Sequence, residues 1–315
     1  MELKFSNNDN IPALGLGTWK SAEGEVFDAV IAALQAGYKH IDCAPIYGNE
    51  KEIGEAFKKA FDEGIVKREA LFITSKLWNT QHKTEDVLPA IEKTLNDLQI
   101  DYLDLFLIHW PIPLRAGTQF PEKAEDFLFQ EEAPIEDVWK EMQSIKDKGL
   151  SKHIGVANFS KENLNKLLKM GGQPPEMNQI ELHPCLTQQP LVDFCHEHKI
   201  LVTAYSPLGS KDRVSQMKKD DEPNLFNLDS VVKIAEEHDK SAAEILLAWA
   251  VNRNTIAIPK STNPAHISSN LKAASINLSK QEVDLISAEN KAYRYVDGSF
   301  WTNNGSPYTL EYLWG

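Results

Sequence analysis

The chain has 315 residues, of which 42% are hydrophobic and 25% charged, near the globular average, which excludes a fibrous repeat or a disordered chain. A formal net charge of −13 opposes non-specific attachment to nucleic acid or to an anionic membrane, leaving a small ligand held by a local cluster of donors as the expected partner. There is no basic leader with an apolar core and no apolar run of about 18 residues, and the three cysteines (Cys43, Cys185, Cys195) are too scattered for a disulfide framework, so the expected location is the cytoplasm.

Residues 1–13 read as two short strands around the polar turn Asn7-Asn8-Asp9-Asn10, a small hairpin cap. Leu14-Gly15-Leu16-Gly17-Thr18-Trp19-Lys20 follows as a strand whose glycines permit close packing or close approach of a ligand. It lacks the third glycine and the strand-turn-helix setting of a dinucleotide fingerprint. From Glu23 onward, helical periodicity alternates with short apolar runs. Val26, Val30, Ala33 and Leu34 form one helix face; Ile53, Ala56, Phe57 and Ala60 the next; Val87, Ile91, Leu95 and Leu98 a third. Further helices are expected over 138–145, 164–168 and 191–196, then one helical stretch up to Asn252 and another starting near Pro264.

The strands expected from Leu14 onward are 14–18, 38–42, 71–75, 103–108, 153–157, 177–182, 200–205 and 255–259. Strands and helices alternating in this number predict an α/β fold, a (β/α)8 TIM barrel spanning 1–315, with a doubly wound sheet as the alternative. Long loops at 111–134 and 209–227 and a tail at 289–315 are expected on the substrate side.

Such barrels place their chemistry at the carboxyl ends of the strands. Those ends carry Thr18-Trp19-Lys20, Asp42, Lys76, His109-Trp110, Asn158, Gln179 with Glu181, Tyr205-Ser206 and Lys260-Ser261, with Tyr47 just beyond Asp42. Singly, each has an ordinary reading as a turn cap, a loop plug or a solvated end. Together, Asp42, Tyr47, Lys76 and His109 make a proton-donating kit. A phenol has a reference pKa near ~10, and an ammonium about 4 Å away is worth roughly 4 kcal/mol at an effective dielectric of about 20, which predicts a lowered Tyr47 pKa. Asp42 would keep Lys76 charged, and His109 would orient the oxygen that receives the proton.

The kit has no nucleophile elbow, no metal-ligand spacing and no phosphate loop, so a cofactor must supply the second half of the reaction. Cys195-His196-Glu197-His198 reads as an exposed helix face rather than a metal site. Ser206-Pro207-Leu208-Gly209-Ser210 offers hydroxyls and backbone donors for a pyrophosphate, Lys260-Ser261 lies ahead of a helix start, and Tyr205 can stack on a flat ring; each can also be a plain turn.

LGLGTWK at 14–20, HIDCAPIYGNE at 40–50, ITSKLW at 73–78, LDLFLIHWP at 103–111, IGVANF at 154–159, NQIELHP at 178–184, AYSPLGS at 204–210 and IPKS at 258–261 resemble the motifs of the aldo-keto reductase family, in family order. The resemblance implies NAD(P)H-dependent reduction of aldehydes, aldoses or ketones to alcohols, by a monomer or weak dimer. It implies Tyr47 as general acid, Lys76 and Asp42 as its tuning pair and His109 as carbonyl-orienting donor. It also implies nicotinamide stacked on Tyr205 with its carboxamide at Asn158 and Gln179, and Thr18, Trp19 and Lys20 along the cofactor. Ser206, Leu208 and Ser210 would face the pyrophosphate, Lys260 and Ser261 the 2′-phosphate, and His266 and Asn270 the adenine.

The substrate would lie among Trp19, Ile46, Tyr47, Trp78, His109, Trp110, Phe120 and Trp301. Two departures from the family pattern stand out. Ala157 replaces a serine that helps hold the carboxamide, and His266 replaces the arginine of NADPH-preferring members, so NADPH is the first expectation and NADH stays open. A cofactor-binding regulatory member and a Schiff-base lyase using Lys76 are the competing readings.

Overall fold

The computed structural model describes residues 1–213 and 218–315. A hairpin of β1 (Glu2–Lys4) and β2 (Asn10–Pro12) comes first, turning where Asn8 takes a left-handed φ of 72°. The alternation then runs β3 (Leu16–Gly17), α1 (Glu25–Ala36), β4 (His40–Asp42), α2 (Glu50–Asp62), β5 (Phe72–Leu77), α3 (Thr84–Leu98) and β6 (Leu103–Ile108). It continues through α4 (Ile135–Asp147), β7 (Ser151–Ala157), α5 (Lys161–Lys169), β8 (Met177–Glu181), α6 (Gln189–Glu197) and β9 (Leu201–Tyr205). The last elements are α7 (Asp229–His238), α8 (Ala242–Asn252), β10 (Ile256–Ala257), α9 (Pro264–Lys272), α10 (Lys280–Ser287) and α11 (Leu310–Trp314).

Strands β3 to β10 lie side by side in chain order, every pair parallel. The sheet closes on itself: Gly15 N donates to Ala257 O at 2.9 Å, Ala257 N to Ala13 O at 2.9 Å and Gly17 N to Pro259 O at 3.0 Å. This is the (β/α)8 architecture, and the doubly wound alternative falls because an open sheet has two edges. Gly17 shows why the seam needs a glycine, since a Cβ there would meet Ile258 O at 2.8 Å. The expected close approach is therefore to the chain's own backbone.

Helix stripes bury as the periodicity requires: Val26, Ala29, Val30, Ala33 and Leu34 of α1 are all inward. The hairpin seals the amino-terminal mouth, with Leu3, Phe5 and Ile11 packed on Phe72, Leu105, Met177, Leu201 and Ile256 of the strands. Among the described residues no helix is long and apolar enough to cross a membrane.

Two details differ from the sequence expectation. The helical stretch ending at Asn252 is two helices, because Asp239 turns left-handed at φ 53° and Ser241 starts α8 with a capping box shared with Glu244. Cys195 is wholly buried and His196 half-buried, so only Glu197 and His198 of that quartet form the exposed face. The loop at 111–134 is ordered, folding back through a Leu114–Phe127 bridge and a short turn at Ala124–Asp126. Of the second long loop, residues 214–217 lie outside the described residues.

Glu50, 4% exposed at the start of α2, ties three elements together by accepting from Ser75 Oγ at 2.6 Å and Thr94 Oγ1 at 3.2 Å. Burial drives its carboxyl up to about 7, the two hydroxyls opposing. A carboxyl raised in the folded state holds its proton better folded than unfolded. Its share of stability is therefore whole below about 4.5 and is lost as pH climbs through about 7. Glu50→Gln is expected to remove about 3 kcal/mol of this decline between about pH 5 and about pH 8, read by urea unfolding at both pH values. Parallel pH profiles for the two proteins would contradict the assignment.

Candidate active site

The chain gathers a polar cluster where β4, β5, β6 and β8 end. Asp42 is the last residue of β4, and Lys76 reaches it from the neighbouring strand: Nζ lies 2.5 Å from Asp42 Oδ1, 2.8 Å from Cys43 O and 3.4 Å from Tyr47 Oη. Lys76 and Asp42 are 1% and 2% exposed. Gln179 Nε2 donates to the other Asp42 oxygen at 2.7 Å, and Thr18 Oγ1 donates to Asp42 O at 2.8 Å. Tyr47 sits on the one-turn helix Pro45–Tyr47, which Gly48 ends at φ 73°. That turn swings the phenol back over the strand ends.

His109, one residue past β6, presents its ring edge-on to Tyr47 at 5.9 Å and to Trp78 at 5.1 Å between centroids. Asn158 follows β7 in a left-handed conformation, φ 63°, donates from Nδ2 to His109 O at 2.9 Å and accepts from Tyr205 Oη at 2.8 Å. The four expected catalytic positions and Asn158, Gln179 and Tyr205 thus form one connected network.

Its electrostatics follow from burial. Desolvation works against the Lys76 ammonium, yet the Asp42 carboxylate and the Tyr47 oxygen outweigh it and hold Lys76 above its ordinary range. His109 is driven well below its ordinary value by burial and by the charge of Lys76, so the ring is neutral. Tyr47 departs from expectation: burial raises it to about 12, and Lys76 only partly offsets this while Asp42 adds to it. The sequence argument counted the ammonium and not the loss of water around the phenol.

A second cluster runs outward from Tyr205. Ser206 has φ 49° and Gly209 φ 73°, bending the chain after β9 so that Ser210 accepts from Lys20 Nζ at 3.4 Å, while half-buried Leu208 flanks the bend. Asp212 stands between two lysines, 3.7 Å from Lys20 Nζ and 3.6 Å from Lys260 Nζ. Burial, only partly countered by Asp212, brings Lys20 down to about 8. Lys20 also lies over the Trp19 ring at 3.7 Å. One carboxylate facing two ammoniums leaves a positive remainder beside hydroxyls, a donor set that fits a pyrophosphate.

The start of α9 is arranged differently from expectation. Asn263 Oδ1 already accepts from Ala265 N at 2.9 Å and His266 N at 3.3 Å, and Ser261 Oγ accepts from Asn263 N at 3.1 Å. The side chains of Lys260, Ser261 and exposed His266 remain beside this helix start, with Asn270 buried one turn on. Ala157 is buried and its side chain carries no polar atom.

Aromatic side chains cluster beside this network. Trp301 lies 5.9 Å from Trp78, 5.7 Å from Trp110 and 6.5 Å from Phe120, ring to ring, and Trp19 and Ile46 pack against the same cluster. Phe120 is 56% exposed, whereas Trp301 has no exposed surface and backs the wall from behind. The tail is pinned over the cluster by Tyr308 Oη to Leu128 O at 2.6 Å and Tyr312 Oη to Pro111 O at 3.0 Å.

Three supports carry no assigned role in the sequence reading, Glu181 among them although it is named there at its strand end. Glu181, fully buried, accepts from Tyr295 N at 2.6 Å, Val296 N at 2.8 Å and His183 Nε2 at 2.8 Å, fastening the tail to the strand that carries Gln179. Asn49 Nδ2 holds Thr18 O at 3.0 Å. Asp212 had no local signal, since the lysines it meets come from opposite ends of the chain. Glu181 did have one, a carboxylate alternating with Gln179 at a strand end.

The family model "Aldo/keto reductase family" matches residues 13–291. An aldo/keto reductase of Synechocystis sp. is 51% identical over 310 residues, covering 98% of this chain and 95% of that protein. Aldo-keto reductase family 1 member A1 of Homo sapiens is 45% identical over 288 residues, covering 91% of this chain and 88% of that protein. The solved aldose reductase of Schistosoma japonicum superposes with a TM-score of 0.88 at 39% identity, covering 99% of this chain and 100% of that one.

Proposed function

Because the chain belongs to the aldo/keto reductase family, we propose that it reduces aldehydes, including aldoses, or ketones to alcohols with a nicotinamide cofactor, Tyr47 giving the proton. The observation that carries this is the fully buried Lys76 between the Asp42 carboxylate and the Tyr47 phenol. When bound, the cofactor supplies the reducing equivalent to the carbonyl carbon. The chain's residues do the rest. Neutral His109 orients the carbonyl oxygen toward Tyr47, and Tyr47 Oη gives that oxygen its proton as negative charge builds on it.

A phenol held near 12 stays protonated at every working pH. The phenolate left behind would face the Lys76 ammonium, whose charge Asp42 secures. A lysine kept charged is a poor nucleophile, which speaks against the Schiff-base lyase. The intact tetrad speaks against a purely regulatory member.

For the cofactor, Tyr205 would stack on nicotinamide with Asn158 and Gln179 at its carboxamide, and Thr18, Trp19, Lys20, Ser206, Leu208 and Ser210 would follow the chain of phosphates. Lys260, Ser261, His266 and Asn270 would meet the adenosine end. The wall of Trp19, Ile46, Trp78, Trp110 and Phe120, buttressed by Trp301, suits an apolar or aromatic aldehyde. Mixing the protein with NADPH or NADH and a panel of aromatic aldehydes, aldoses and ketones tests the reading, with oxidation of the cofactor expected fastest for aromatic aldehydes. A panel in which only sugars react would overturn the substrate assignment.

NADPH is the expected preference, supported by Lys260 and Ser261, with NADH admitted because His266 lacks the fixed charge and fork of arginine. His266→Arg is expected to raise the NADPH-to-NADH preference roughly tenfold through new charge-assisted bonds, read as the ratio of the two cofactor KM values. An unchanged ratio would remove His266 from the 2′-phosphate site.

A further inference from the structure

The loop at 111–134 brings charge to the rim of the aromatic pocket. Phe120 lies 6.3 Å from Trp78 and 6.5 Å from Trp301, ring to ring. Just after it, Pro121 O accepts from Asn304 Nδ2 at 3.1 Å, and a Cβ on Gly305 would meet Ala124 Cβ at 3.0 Å. Residues 120–125 are therefore wedged between the pocket wall and the tail, and Glu122 and Glu125 are exposed on either side of that contact. The loop carries five acidic residues (Glu122, Glu125, Asp126, Glu131, Glu132) against Arg115 and Lys123. Residues 295–315 add Asp297 and Glu311 and hold no lysine or arginine.

The neighbouring cations are already engaged. Arg115 Nη2 lies 3.1 Å from Glu132 Oε1, and the charge of Lys83 also acts on Glu132. Lys20 faces Asp212, Lys76 faces Asp42, and Arg294 lies over the Trp314 ring at 3.8 Å with the Glu181 charge acting on it. Asp126 is turned inward on its own loop, accepting from Glu122 N at 2.8 Å and Lys123 N at 3.1 Å. Among the described residues Glu122 and Glu125 form no ion pair, and Lys123 is the one cation between them. Inside the rim the walls are Trp and Ile, and the polar groups at the base, Tyr47 and neutral His109, are those that meet the carbonyl. We infer that the pocket accepts uncharged carbonyl compounds and turns away those bearing a carboxylate, with Glu122 and Glu125 setting this choice at the rim.

Two physical effects act together, and their signs separate them. A carboxylate drawn between the aromatic walls gives up water and finds no cation to replace it, a cost that any ion would meet. The rim acids distinguish the ions by sign: they repel an anion, attract a cation, and act through water that salt screens. One like charge about 8 Å away through water disfavours an approaching carboxylate roughly twofold, so the two rim acids together are worth roughly fivefold. Rejection built this way is a repulsive element added to an apolar fit. This choice of substrate class rests on the reductase reading above and deepens it.

The test compares three benzaldehydes of similar shape with the unaltered protein and reduced cofactor: para-formylbenzoate, its methyl ester and para-formylphenyl trimethylammonium. From ester to carboxylate kcat/KM is expected to fall by about tenfold or more, and the cation is expected to fall less. Added salt should raise the value for the carboxylate and lower it for the cation. Replacing Glu122→Lys and Glu125→Lys together is expected to raise kcat/KM for the carboxylate roughly tenfold with the ester unchanged, and Glu122→Gln alone roughly twofold. A carboxylate reduced as well as its ester would overturn the inference, and so would a folded double variant whose carboxylate-to-ester ratio does not move. If the ester is not reduced at all, the reductase reading falls, and binding still decides this one. Tryptophan fluorescence of the cofactor-free protein is titrated with para-hydroxymethylbenzoate and with its methyl ester. Tighter binding of the ester supports the inference, and equal or weaker binding overturns it.

Discussion

Tyr47→Phe is expected to lower the rate of carbonyl reduction by about 10³-fold or more while leaving cofactor binding within a factor of about two, since general acid catalysis is worth roughly 10²–10⁴. The substitution removes one oxygen and keeps the ring that packs edge-on against His109 at 5.9 Å and lies 6.4 Å from Trp19. Packing therefore changes little, and the lost group is the proton donor nearest Lys76. Steady-state rates with an aromatic aldehyde, beside fluorescence titration of the cofactor, separate the two effects. A rate within about tenfold of the unaltered protein would reject Tyr47 as the acid, because that falls below the usual worth of such a group.

The second large effect is on stability. Asp42→Asn keeps shape but leaves the Lys76 ammonium, with a fully buried side chain, without its counter-charge. Breaking a buried pair on one side typically costs about 3–5 kcal/mol, and here desolvation, which already acts against Lys76, would no longer be outweighed. Asp42→Asn is expected to lose about that much in urea unfolding, with Lys76→Met losing a comparable amount. The double variant should lose less than the sum, since the second change removes the orphaned charge. A loss below about 1 kcal/mol for Asp42→Asn would show that the pair does not hold the site together.

Much of this was legible in the chain because the signals were local. Parallel buried strands read as apolar runs, and the polar residue ending each run marks the barrel mouth, which is how Asp42, Lys76, His109, Asn158, Gln179 and Tyr205 stood out before their contacts were known. What failed was non-local. The Tyr47 proton affinity depends on how much water packing removes, so an argument from one neighbouring charge had the sign wrong. The break between α7 and α8 turns on the left-handed Asp239, which helical periodicity does not register. Asp212 and Glu181 depend on residues far apart in sequence. Their roles emerge only once the barrel has closed.

The central claim is that the buried Asp42–Lys76 pair serves a tyrosine that protonates a carbonyl oxygen. Incubating the unaltered protein with an aromatic aldehyde and NADPH, then measuring alcohol formed against cofactor oxidised, tests it most directly. The account predicts catalytic turnover with equal amounts of each. Cofactor that binds but is not oxidised, with no alcohol formed from any aldehyde, aldose or ketone, would contradict it.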